Sequence, residues 1–410
     1  MLSSKNFLLA TSLLFIQSTS LLANDTNSTL NHYISDLKKQ QFEYDYEKNE
    51  ADSSILRDSW IAPLNLQYTH TKNNSNTMAA DPIQETKTAV IKMDQPIFQS
   101  GGIYYGIKFA NASKAYNDYS IDVAKRKMIK DAISLLMQIK QSDFKIERQK
   151  LQIKNSEINL EQQQEQYLSG QLDSGFLDNA VIERNIVIQN LYDMETAKER
   201  LISSFSTLSD LNYEVAKIPH LELLTRDEFL KYNIVLKMAD SQIQRDRYNK
   251  NVTITSYLPS VSLTAGYTWT EASNAFFAGG EREFYDYGLK ASMPISINTF
   301  RDIESARIDY LKSEVTKEDN KIQLDALFTQ VMQNLDNFDK KKKLSIENKD
   351  LYTKLLKDTK ELYAAGYKTE YDVNLLENSV NISELDSKIY EIDKQLELLN
   401  LYEMYVNESL

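Results

Sequence analysis

The sequence predicts a mainly α-helical chain with four β-strands, built as two copies of one hairpin-and-helix unit. Three observations carry this. Only 10 Gly and 6 Pro interrupt 410 residues, and they cluster at two strand pairs and two helical turns. Between them lie long stretches rich in Gln, Glu, Lys, Leu, Ile and Asn, a composition suited to long helices and coiled coils. Ser260-Val261-Ser262-Leu263-Thr264-Ala265-Gly266-Tyr267-Thr268-Trp269-Thr270 is apolar at every second position, and the returning arm sets Tyr287, Leu289, Ala291 and Met293 against Gly288, Lys290 and Ser292. That is the period of a half-buried strand. Pro63 to Pro259 and Gly170 to Gly366 each span 196 residues, and Pro96 to Pro294 spans 198, so the unit is duplicated.

The elements follow in order. Lys5 precedes an apolar run from Phe7 to Ile16, and Leu21-Leu22-Ala23 offers a cleavage site after Ala23, giving a signal peptide over 1–23. A run this short and rich in Ser and Thr does not span a bilayer as a helix. The first repeat, 24–216, opens with a mostly polar helix over 30–59. It continues with a β-hairpin over 61–98, whose tip from His70 to Lys87 reads as a polar loop, and a long helical hairpin over 103–213. The second repeat, 217–410, has equatorial and linking helices within 221–249, the first starting near Thr225 or Asp227 and the next running from Asn233 to Asn249. A β-hairpin over 257–297 and a helical hairpin over 301–405 complete it. Each outgoing rod, to Tyr167 and to Tyr363, is roughly 95 Å long at the helical rise.

The first rod carries two apolar series with a period of seven: Ile139, Ile146, Ile153, Leu160 and Tyr167, and Met137, Phe144, Leu151 and Ile158. Their offset of two positions places them about 200° apart around the axis. A two-stranded coiled coil needs one seam, whereas two nearly opposite seams suit a helix with a neighbour on each side, as in a cylinder wall. Ile308, Val315 and Ile322, followed by Leu324, Val331 and Phe338, repeat the offset in the second rod.

Each hairpin arm is about ten residues, the length of a tilted strand crossing a bilayer, and Trp269, Tyr267, Tyr287 and Phe277 are candidates for an aromatic girdle. A strand of a soluble sandwich shares the alternation. No segment approaches 18 apolar residues, so a membrane location requires strands. Four strands cannot close a membrane barrel. Two copies give eight, and three give twelve with a water-filled lumen that the helices would extend as a tube.

The segment Tyr257-Leu258-Pro259-Ser260-Val261-Ser262-Leu263-Thr264-Ala265-Gly266-Tyr267, preceded by the 233–249 helix, resembles the repeat-boundary motif of TolC-type outer-membrane efflux proteins. So does Gly366-Tyr367-Lys368-Thr369-Glu370-Tyr371-Asp372-Val373 at the second helical turn. The resemblance covers essentially the whole mature chain. It implies a mainly α fold with a membrane β-barrel: a homotrimer whose four strands per chain form a twelve-stranded barrel above a long periplasmic α-helical barrel. Implied partners are a periplasmic adaptor protein, an inner-membrane pump of RND or ABC type and outer-membrane lipid. The implied location is the outer membrane of a Gram-negative bacterium. The resemblance further implies that the helical turns form the periplasmic entrance, with Gly170 and Gly366 at the turns and Asp372, Asp173 and Asp178 as gate candidates. A second family aspartate three residues past Asp372 is matched here by Leu375, so a doubled acidic ring is not supported. In the first half one residue reads as inserted in the equivalent turn. Three inward Asp372 carboxylates would attract cations. An acid at a helix N-terminus that serves the macrodipole accounts for the same residue, and the two roles are compatible.

Composition excludes other classes. The net charge of −12 becomes −13 without 1–23, which carries only Lys5, and an acidic chain without a basic patch argues against nucleic acid. There is no Cys, and His32, His70 and His220 are scattered, so no disulfide, metal or cofactor site is expected. Gly101-Gly102-Ile103-Tyr104-Tyr105-Gly106 lacks phosphate-loop spacing, and Lys340 to Lys343 reads as a solvated helix face. No nucleophile or paired-carboxylate constellation suggests an enzyme. Two alternatives to an efflux duct remain: the outer-membrane component of a type I protein secretion system, and a periplasmic coiled-coil adaptor or scaffold.

Overall fold

The computed structural model describes residues 30–74, 83–273 and 280–406. The expected leader, part of the expected first hairpin tip and Phe277 lie outside the described residues. After one 3-10 turn at Asn31–Tyr33, α1 spans Asp36–Arg57, and the Ser35 hydroxyl caps it by accepting from the Lys38 N–H. The helix expected over 30–59 therefore starts later, where Ser35 supplies the first helical N–H groups with an acceptor.

Strands β1 (Asn65–Asn74), β2 (Ile83–Phe98), β3 (Ser260–Ser273) and β4 (Gly280–Ser292) form one antiparallel sheet in that order. Pairing of β2 with β3 joins the two repeats. The first hairpin is longer than expected, because β1 is paired through Asn74 where the sequence suggested a loop from His70 to Lys87. Thr69, Thr71, Thr86 and Thr88 favour extended backbone. Cross-strand polar contacts add support, with His70 hydrogen-bonded to Glu85 and the Lys87 ammonium paired with Glu271. Met293 falls just beyond β4.

The long rods appear as α2 (Gly102–Leu168) and α6 (Thr299–Ala364), neither containing a proline. Their returns are α3 (Ser174–Leu208) and α7 (Glu370–Tyr402). Helix α3 stops short of the expected Tyr213. At Leu208 the carbonyl accepts from Ser35, and beyond it the Asn212 side chain accepts from the Glu214 N–H in a local turn. Helix α4 (Arg226–Lys231) is set by a capping box between Thr225 and Glu228. Helix α5 (Ile234–Ser256), capped by Asn233, runs past the expected Asn249 and ends just before the Leu258-Pro259 step.

Helix neighbours continue the strand order. Helix α1 leads into β1, β2 leads into α2, α5 leads into β3 and β4 leads into α6, and the helices pack as α1, α2, α5, α6. Below this tier the order is α3, α2, α7, α6. Each half of α2 thus has a helix on both sides, which is what its two stripes require. Asn49 and Tyr46 of α1 bond Asp118 and Asp122 of α2, whereas farther along α2 Gln149 and Arg148 bond α3 and α7.

The core lies where the tiers meet. Ile133, Leu136, Met137 and Ile139 of α2 are fully buried against Phe205, Phe229, Val331 and Leu401. The Phe229 and Phe328 rings stack at 5.9 Å. Burying one such side chain is worth about 1.5–3 kcal/mol. On α6 the two predicted series part company: Leu324 and Val331 are buried, while Ile308, Val315 and Ile322 are 54%, 69% and 69% exposed. Helices α1 and α3 at the opposite edge also bare apolar residues, among them Leu37, Ile55, Phe176, Ile182 and Ile186.

Candidate functional site

Two helical turns define the free end of the lower tier, and both use the same local chemistry. Gly170 and Gly366 take φ of 73° and 82°, a conformation that costs other residues a Cβ clash. At each, the glycine N–H returns to the carbonyl three residues back, and the next N–H returns five back, to Gln166 and Leu362. This Schellman pattern satisfies the last carbonyls of α2 and α6.

The next helix is capped three residues beyond each glycine, by Asp173 and by Thr369. The turns are therefore in register with no inserted residue, correcting that expectation, and Phe176 rather than an acid is the counterpart of Asp372. Asp173 accepts from the Gly175 N–H at 3.1 Å. Asp372 closes a capping box, accepting from the Thr369 N–H at 3.0 Å while its own N–H donates to the Thr369 hydroxyl at 3.3 Å. Bonds from the Thr369 backbone and hydroxyl, with Lys368 at 3.5 Å, hold the Asp372 carboxyl below its ordinary range. The Gly175 N–H and the Ser174 hydroxyl do the same for Asp173. Asp178 lies exposed on the first turns of α3.

Sequence reasoning missed the link between the two hairpins. The Tyr371 hydroxyl donates to Glu165 at 3.2 Å. Desolvation, then Glu165 and Glu161, push Tyr371 up to about 12. Toward the core the same α2–α7 seam carries Asn155 with Asn378, Arg148 with Asp386 at 2.7 Å, and Gln141 with Asp393. The three α2 members are seven residues apart, a polar heptad that could have been read beside the apolar ones.

At the other end the register sorts the sheet into two faces. One face carries Leu263 with Leu289, Met93 with Ala265 and Tyr287, Leu66 with Ile91, Tyr267 and Tyr285, and Tyr68 with Ala89 and Trp269. Tyr267 and Tyr285 meet at 5.1 Å between ring centroids. The girdle candidates Tyr267, Trp269 and Tyr287 thus share one face, apolar in these rows apart from Gln95 beside Leu263 and Glu283 opposite Trp269, and Tyr287 is 88% exposed in the single chain. The opposite face carries Lys92, Asp94, Thr264, Thr268, Asp286 and Lys290. Among the described residues no helix is long and apolar enough to cross a membrane, and no cluster of three or more acids or histidines is placed to hold a metal.

A four-stranded sheet continued into a two-tier helical wall has close structural counterparts. The chain superimposes on the outer membrane protein VceC of Vibrio cholerae with a TM-score of 0.70, at 14% identity over 93% of this chain and 97% of that one. The CmeC outer membrane channel of Campylobacter jejuni gives 0.69 at 13% identity, over 93% and 85% of the two chains. The MtrE outer membrane channel of Neisseria gonorrhoeae gives 0.61 at 12% identity, over 89% and 84%. The fold is that of these outer-membrane channels. No family model and no curated protein matches the sequence. Within the channel fold the Gly170 and Gly366 turns stand at one end and the apolar sheet face at the other.

Proposed function

We propose that three copies of this chain form an outer-membrane channel, the exit duct of a tripartite efflux system, and that its role is conduction rather than catalysis. The observation that carries this is the pair of open edges. The outer edges of β1 and β4 are unpaired among the described residues, and the helices continuous with them, α1 and α6, bare apolar stripes at the same two sides. A sheet edge in lipid costs several kcal/mol per unsatisfied backbone group. Pairing β4 and α6 of one copy with β1, α1 and α3 of the next satisfies both edges at once and closes after three copies into twelve strands.

The apolar face has the height a bilayer needs. From Val261 to Trp269 it is nine residues, roughly 30 Å along the strand, and a tilt of about 40° reduces this to some 23 Å, near the 25 Å band of membrane barrels. The polar face then lines the lumen, and the helical tiers carry that lumen away from the membrane to an entrance at the Gly170 and Gly366 turns. A periplasmic adaptor and an inner-membrane pump would deliver substrate there, and Asp372, Asp173 and Asp178 would stand at its rim. The protein should fractionate with the outer membrane as a trimer resistant to mild detergent and form discrete conducting events in planar bilayers. Recovery of a monodisperse soluble monomer from the periplasm would overturn the reading.

A further inference from the structure

We infer that Lys92, Asp94, Asp286 and Lys290 form a charge-balanced belt that keeps the barrel lumen indifferent to the sign of a permeating ion. This rests on the channel reading above, in which the polar sheet face is the inner wall. The four residues occupy neighbouring rows of that face. Lys92, Gly266 and Asp286 share one row, Asp94, Thr264 and Gly288 the next, and Pro96, Ser262 and Lys290 the third.

Everything on β3 between these charges is small, so the charged side chains lie flat across the sheet. Lys290 reaches from β4 across β3 to bring its Nζ within 3.5 Å of Asp94 Oδ2 on β2. The Asp286 carboxylate lies over Gly266, where a methyl group would collide with it, and this points it toward the strand that carries Lys92. The second oxygen of Asp94 is shielded from solvent and has no hydrogen-bond partner among the described residues, which leaves Lys290 as the compensation for that charge. Arg282 shares the face but sits opposite Thr270, two rows from Asp286 toward the strand end and about 27 Å along β4 from Lys290, so it lies outside the three adjacent rows that carry the belt.

Each chain thus contributes two acids and two bases to one short stretch of wall, and three chains sum to no net charge. A neutral belt concentrates neither ion, whereas removing one member leaves three like charges around the lumen. Reversal potentials of the full-length channel in planar bilayers under a KCl gradient test this. Lys290→Gln should move the K+/Cl− permeability ratio toward cations by about threefold near 0.1 M salt and by nothing measurable at 1 M, where the Debye length is about 3 Å. Asp94→Asn should move it by a similar factor toward anions, and the double variant should return to the wild-type value. Lys92→Gln and Asp286→Asn form a second pair with the same opposite signs, which carries the test if a Lys290 or Asp94 variant does not assemble. Conducting single variants with wild-type reversal potentials at low salt would overturn the belt and leave the channel standing. A wild-type protein that forms trimers yet never conducts would overturn the channel reading, and the belt with it.

Discussion

The Tyr371 hydroxyl and the Glu165 carboxylate meet at 3.2 Å across 206 residues of sequence, tying the end of α2 in the first repeat to the start of α7 in the second. The bond is made at the free end of the helical tier, the first of the polar links along the α2–α7 seam. Replacing Tyr371 by Phe keeps the ring and removes the donor, and should raise the conductance of the resting channel with little loss of trimer. Because the phenol is pushed up to about 12, the donor is fully present below its unfolded value near 10 and is lost as pH rises through 12. The difference in conductance between wild type and Tyr371→Phe should shrink over that window; equal traces at neutral pH would show that the bond restrains nothing.

Asp372 is the second residue to test at this end. Asp372→Asn removes three carboxylates per trimer and, if these face the entrance, should relieve block by divalent or larger polyvalent cations added from the periplasmic side. Asp372→Ala should in addition cost about 0.5–1 kcal/mol per chain through loss of the capping box. The folded carboxyl titrates below its ordinary range, so its stabilisation is present above the unfolded value near 3.9 and is lost as pH falls through the folded one. Thermal melts between pH 5 and pH 2 should therefore show the wild-type advantage over Asp372→Ala shrinking with acid. A blocking constant unchanged in Asp372→Asn would confine the residue to capping and move attention to Asp173 and Asp178.

The two sheet faces make a paired prediction. Leu263→Arg places a charge on the apolar face and should cost about 2–4 kcal/mol if near the bilayer midplane, lowering assembled trimer. Thr264→Arg points to the polar face and should assemble while altering conductance. Equal trimer yields on seminative gels would show that the faces have been assigned the wrong way round.

Gly170→Ala and Gly366→Ala force a Cβ into φ values of 73° and 82°. Each should destabilise by about 1–2 kcal/mol, and Asn, which tolerates this region, by less. A Cβ at either position meets no atom within 4 Å, so a loss of melting temperature reports backbone strain rather than crowding. Melting temperatures that match wild type for both alanine variants would remove the turns from the list of structural constraints.

Much of the architecture was legible because its signals are periodic. The rods follow from the absence of proline and the rarity of glycine in 102–168 and 299–364, and the two stripes of α2 anticipate a helix on either side. What escaped prediction depends on partners distant in sequence. The α2–α7 seam is assembled from Gln141, Arg148 and Asn155 with Asp393, Asp386 and Asn378, ordinary polar residues until the helices are laid side by side. The Tyr371–Glu165 bond belongs to the same class. Asp372 was found through its distance from Gly366, but its tie to Thr369 is a matter of cap geometry, and the mismatch with Phe176 emerged only when both turns could be counted from their glycines. The outer reach of β1 and β2 was underestimated because threonine, lysine and glutamate resemble a loop by polarity and a strand only by pairing.

The junction of β2 with β3 also sets a timetable for folding. Lys87 and Glu271, paired across it, are 184 residues apart, so the first hairpin is made with one long edge committed to a strand not yet synthesised. Non-local pairing of this kind is slow, and an exposed strand edge is prone to misassociation while it waits. The second hairpin then covers the β2 edge and exposes that of β4, which with the outer edge of β1 would be met by other chains in the proposed barrel. On the channel reading proposed above, the sheet of one chain waits for its second hairpin and barrel closure waits for other chains. A holding chaperone that shields β2 during the interval would raise the yield of folded protein more than one that acts on the finished protomer.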